Sequence, residues 1–296
     1  MRGGDAGMKL YRPLRTTQLY RELVNNGEDG AYRQLLKCAN YIDSLGQFSP
    51  LDWEISPNTR LRKADSALKS YKASAKVLSA LSSSQDHLAT IKALLFDASA
   101  QHTYSPFTII RGSLEATAGG LYAIGRRNIK SIIERSLSLE YSDITNASKM
   151  YELWDLPHKL EDVRPRLEEI AQANGIATSR VAAHLPYTKI IKTVDEEYKC
   201  DSIMYGIWQL TSGIAHNKSW AALALTDMKE IPGTRNNIGA RYSLTSNTTW
   251  LARSVLFTCI YHEILRRTYF QATSGEALSR DAIHIHAARM VLNVDD

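Results

Sequence analysis

Cysteine is scarce: Cys38, Cys200 and Cys259 are three in 296 residues, far apart, with no Cys-x-x-Cys pair. Their odd number and spacing argue against a disulfide framework or a cysteine-based zinc site, and favour a reducing compartment. Glycine loops with phosphate-binding spacing are missing, as are a dinucleotide fingerprint, a Gly-x-Ser-x-Gly elbow and a His-Glu-x-x-His helix. The eight histidines are scattered, with no inward Glu-x-x-His pairs of the di-metal bundle type. No metal and no cofactor is therefore expected. Long apolar runs are also lacking. The greasiest stretches, around 220–225 and 255–265, are too short or carry His262 and Glu263. The first ten residues, MRGGDAGMKL, put no apolar segment behind the charge. The expectation is a cytoplasmic protein with no membrane partner.

What is present is ordinary for a globular chain: 44% hydrophobic, 23% charged and a net charge of +5. Basic residues concentrate in two places. Arg60, Arg62, Lys63, Lys69, Lys72 and Lys76 form one cluster, and Arg126, Arg127, Lys130 and Arg135 the other. Each is either a solvated helix face or a contact for RNA or another acidic partner.

The periodicity predicts an all-α, multi-helix bundle. Residues 1–60 read as a tail and a helical hairpin, Thr16–Asn25 and Ala31–Leu45, ahead of an irregular connector with Pro50 and Pro57. Residues 61–296 read as the bundle core. The proline- and glycine-free run Ala64–His102 predicts one long helix, or two broken near Ser82-Ser83-Ser84. Ser105-Pro106 starts a helix with the stripe Phe107, Ile110, Leu114, Leu121 and Ile124. Gly119-Gly120 inside it costs about 1 kcal/mol per glycine against alanine, which close helix packing would offset. Further helices are expected over Asn128–Trp154, Glu161–Asn174, Thr188–Tyr198, Ile203–His216, Ser246–Gln271 and Leu278–Leu292. Near 229–245, Pro232-Gly233 and Gly239 predict a β-hairpin or an ordered loop.

Three constellations carry candidate chemistry. Ile203–His216 has an aliphatic stripe and an opposite face with Tyr205, Ser212 and His216, and Trp208 stands at the border. That face is either buried, with His216 satisfied by a hydroxyl, or it lines a cleft. Arg111 and Glu115 are spaced for an ion pair at the edge of an apolar stripe, with Asp86-His87 as further partners. Arg280 and His286 frame the run Arg280-Asp281-Ala282-Ile283-His284-Ile285-His286. This run resembles the arginine–histidine signature of HEPN ribonucleases. The resemblance implies metal-free RNA cleavage, with histidine moving the 2′-hydroxyl proton and arginine stabilising the phosphorane.

Three runs together, Gln85-Asp86-His87-Leu88, Ser105-Pro106-Phe107 through Arg111 to Glu115, and Ser212-Gly213-Ile214-Ala215-His216, resemble a family of uncharacterised bacterial helical proteins. Over about 75–270 the resemblance implies a helical fold, HEPN-like in some related families, and no activity. It draws attention to Asp86, His87, Arg111, Glu115, Ser212 and His216, expected to meet inside the bundle. Three functions fit: a HEPN-like, metal-independent ribonuclease of the toxin or phage-defence type; a non-catalytic ligand-binding or interaction module, as a homodimer or with a partner; and a small-molecule enzyme using Ser212, His216 and Glu115 beside Tyr205 and Trp208.

Overall fold

The structure is a computed structural model that describes residues 28–46, 54–98, 102–125, 128–157 and 162–293. The expected helix Thr16–Asn25, most of the connector after it, and Arg126 and Arg127 of the second basic cluster lie outside these residues. Twelve α-helices and one two-stranded sheet are found among the described residues. In chain order these are α1 (Glu28–Leu45), α2 (Arg60–Leu68), α3 (Ala73–Lys92), α4 (Ser105–Ile124), α5 (Ile129–Leu153), α6 (Val163–Ala173), the single turn α7 (Thr178–Val181), α8 (Tyr187–Tyr198), α9 (Ile203–Ala215) and α10 (Ser219–Leu225). The hairpin β1 (Thr226–Glu230) and β2 (Tyr242–Ser246) follows, then α11 (Thr248–Ser274) and α12 (Arg280–Leu292). No helix among the described residues is long and apolar enough to cross a membrane.

Helices α4 and α11 form the centre. In α11, residues from Leu251 to Tyr269 are buried on nearly every side, as a helix ringed by α1, α3, α4 and α12 must be. In α4 the whole apolar stripe is buried, Phe107, Ile110 and Leu114 completely. Four helices start at side-chain caps: Thr59 accepts from Arg62 N, Asn128 from Ser131 N, Asn247 from Trp250 N and Ser279 from Ala282 N.

The run expected as one helix from Ala64, or two parting at the serines, is instead broken at Lys69, whose backbone is left-handed (φ 56°). Asp65 then receives the amide of Ser74 and starts α3. The serines do not break it because Ser84 points inward, where hydroxyls of α4 satisfy it: Ser113 at 2.8 Å and Thr117 at 3.0 Å. Beyond Lys92 a π-helical turn, Ala93–Asp97, ends the segment before His102. Close approach of α4 holds at Gly120, where a Cβ would lie 2.8 Å from Leu265 Cδ2 and 3.0 Å from Ala80 Cβ; Gly119 faces open space. The expected insert is a hairpin running from 226 to 246, with Met228 opposite Leu244. Its base is fastened to the chain ahead of α4, because Ser246 Oγ donates to His102 O at 2.6 Å.

Two buried polar groups tie the core together. His262 Nδ1 lies 3.0 Å from Ser84 Oγ, linking α11 to the α3–α4 seam. Next to it, fully buried Glu263 accepts two 2.6 Å bonds from Arg266, a longer one from Arg267 and one from the Tyr41 hydroxyl of α1. A buried carboxylate requires such compensation, since removing a partner leaves a charge in a medium that solvates it poorly.

Burial lowers the imidazole of His262 from 6.5 to about 4, and that of His284 likewise. The unfolded chain therefore binds protons through about pH 6.5 that the folded chain refuses until about pH 4. Stability is present in full above 6.5 and is lost as pH falls through that window, by roughly 3 kcal/mol for His262. The His262→Asn variant is expected to show a shallower decline than the wild-type chain in urea titrations between pH 7 and pH 4. Equal slopes would contradict this assignment.

Candidate functional site

Helix α4 presents one face to α3 and another to α9. On the α3 side, His87 seats on Gly112: a Cβ there would come within 2.5 Å of the ring's Nε2, while Nδ1 lies 2.6 Å from Ser83 O. Gly112, Ser113 and Thr117 thus set the rotation of α4. The neighbouring face then turns Arg111 and Glu115 toward α9, whose start is fixed by Asp195 of α8 accepting the amides of Ser202 (2.8 Å) and Tyr205 (3.2 Å).

The result is a half-buried polar cluster between α4 and α9. Arg111 Nε donates to Glu115 Oε1 at 2.8 Å, and Trp208 Nε1 donates to the same oxygen at 2.9 Å. Arg111 Nη1 lies 3.4 Å from His216 Nε2, with the imidazole exposed at the C-terminal end of α9. Tyr205 stacks near Trp208 with ring centroids 6.1 Å apart, and Lys192 Nζ lies 4.8 Å from the Tyr205 ring centre. A guanidinium held by its Nε through a carboxylate keeps its two Nη atoms facing outward. Such an arrangement can bind a phosphate or carboxylate beside an imidazole able to move a proton.

The structure therefore brings Arg111, Glu115, Trp208 and His216 together, with Tyr205 adjoining. The meeting point is a half-buried surface between α4 and α9, not the bundle interior. Asp86 is exposed, and only its backbone oxygen is engaged, by Thr90. His87 touches Gly112, about a quarter-turn round α4 from Arg111. Ser212 is half-buried, and the ring of His216 pairs with Arg111 in place of that hydroxyl. The terminal pair points into different surroundings. Arg280 donates to Glu197 O and to Gly125 O (3.3 Å) and lies 5.2 Å from the Tyr198 ring centre. His286 sits instead 4.0 Å from Glu263. The histidine that shares Tyr198 with Arg280 is His284, at 6.5 Å between ring centres.

Both basic clusters are partly used internally. Lys76 pairs with Glu140 and Asp143, and Arg135 is bidentate on Glu197. The polar core was legible in principle, because Ser254, Thr258 and His262 recur every four residues through the apolar helix α11. No protein-family model, curated protein or solved structure matches this chain.

If the indole anchors Glu115, Trp208→Phe removes one charge-assisted bond and is expected to cost about 1–3 kcal/mol in urea unfolding. An unchanged midpoint would show that the bond contributes nothing.

Proposed function

We propose that the Arg111–His216 cluster is the active centre of a HEPN-like, metal-independent ribonuclease. The observation that supports this reading is a guanidinium and an exposed imidazole 3.4 Å apart, the guanidinium anchored by Glu115 and Trp208. An incoming phosphodiester would take the Nη donors of Arg111, freeing Nε2 of His216. That nitrogen accepts the 2′-hydroxyl proton while the 2′-oxygen attacks phosphorus. The bond from phosphorus to the 5′-oxygen breaks, its electron pair leaves with that oxygen, and the oxygen takes the proton back from the imidazolium. The products are a 2′,3′-cyclic phosphate and a 5′-hydroxyl. Arg111 neutralises the phosphorane, and Glu115 acts as a positioning residue. The terminal Arg280–His286 pair fits the role less well, since Arg280 is committed to backbone carbonyls.

A second reading is a non-catalytic interaction module or homodimer. Its support is the exposed apolar side chains Trp220 and Leu223 on α10 and Met228 on the adjoining hairpin.

Purified protein is expected to cut single-stranded RNA in the presence of EDTA and to leave the 2′-deoxy analogue intact. His216→Ala and Arg111→Ala should each lose about 100- to 10,000-fold in rate. His286→Ala should retain cleavage. Full cleavage by His216→Ala, or none by the wild-type chain at any pH from 5 to 9, would overturn the ribonuclease reading.

A further inference from the structure

A hollow lies away from the Arg111–His216 cluster, between α5, α6 and the chain leading into α8. Its free volume is about 430 Å³, within the range of small-ligand pockets. Three cationic or titratable side chains from three separate segments line it: Lys149 of α5, Arg164 of α6 and His184 of the loop before α8. Of the acids, Asp143 also borders it, but that carboxylate is already matched by Lys76 at 2.8 Å.

Arg164 is the informative member. Its Nε is buried, and no hydrogen-bond partner for it exists among the described residues. Its guanidinium lies 6.0 Å from the centre of the Tyr141 ring. A buried N–H without an acceptor is destabilising, because it has given up its bond to water. Arg135 and Arg266 are instead tied to carboxylates, those of Glu197 and Glu263. A ligand that supplied anionic oxygens would draw the guanidinium into a charge-assisted fork, with Lys149 and His184 closing on the same charge. Tyr187, 45% exposed, stands at the rim and offers a ring to whatever the anion is attached to.

We propose that this hollow is a binding site for a phosphate monoester, held by Arg164, Lys149 and His184, with the esterified group lying on Tyr187. The inference is independent of the ribonuclease reading. Free nucleotides and the 5′-phosphate end of an oligonucleotide share this chemistry.

Calorimetric titration of the full chain with inorganic phosphate, adenosine monophosphate and a 5′-phosphorylated, 2′-O-methylated oligonucleotide tests it and separates the two sources. Adenosine monophosphate or the oligonucleotide is expected to bind at least tenfold more tightly than inorganic phosphate. Arg164→Gln with Lys149→Gln should weaken the tighter ligand by tenfold or more at an unchanged unfolding midpoint. His216→Ala should leave binding as it is, so that loss of cleavage and loss of this site are distinguishable. Absence of binding by either ester up to 5 mM, esters no tighter than inorganic phosphate, or equal binding by the double variant would each overturn the proposal.

Discussion

The close seam between α3 and α4 is the constraint on which the rest of the structure depends. Ser84, Ser113 and Thr117 are all fully buried, and none has water to satisfy its hydroxyl. They satisfy one another across a helix interface kept narrow by Gly112 and Gly120. Because a hydroxyl network is directional where apolar packing is not, it specifies one rotation of α4 about its axis. His262 extends the same network into α11, so the three central helices are held in register by four polar side chains.

That rotation has a consequence at the surface. Residues 113 and 117 point into the seam, and residues 111 and 115 point roughly half a turn away, toward α9. Arg111 and Glu115 thereby meet Trp208 and His216, which come from a segment about a hundred residues later. Inside the bundle, Glu263 is closed on Arg266, Arg267 and Tyr41. Between α4 and α9 the imidazole of His216 is exposed and Arg111 is half-buried, which leaves both within reach of a ligand.

Most of the architecture was legible because it rests on periodicity. The stripe from Phe107 to Ile124 and the helix expected over Asn128–Trp154 rest on local signals, and the structure follows them. The break at Lys69 was not, since it depends on Asp65 reaching the amide of Ser74, and three serines at 82–84 looked like the weaker point. For the site, helical spacing placed Arg111 with Glu115, and the α9 face placed Trp208 near His216. Their meeting depends on helix packing, which sequence spacing does not encode. The same ignorance of packing put the cluster in the interior and overlooked Arg164, whose neighbours around the hollow come from α5 and the 182–186 loop. Arg280 and His286 illustrate the converse. A linear motif can match while its two side chains serve different neighbours, here backbone carbonyls and Glu263.

The central claim is that Arg111 and His216 act as one unit because the α3–α4 seam turns α4 toward α9. A double-substitution cycle on the rate of RNA cleavage, with Arg111→Ala, His216→Ala and both together, addresses it directly. Groups that work as a unit are strongly non-additive, so the account predicts that the double variant is no slower than the slower single one. Losses that multiply would contradict it, showing two residues that act apart.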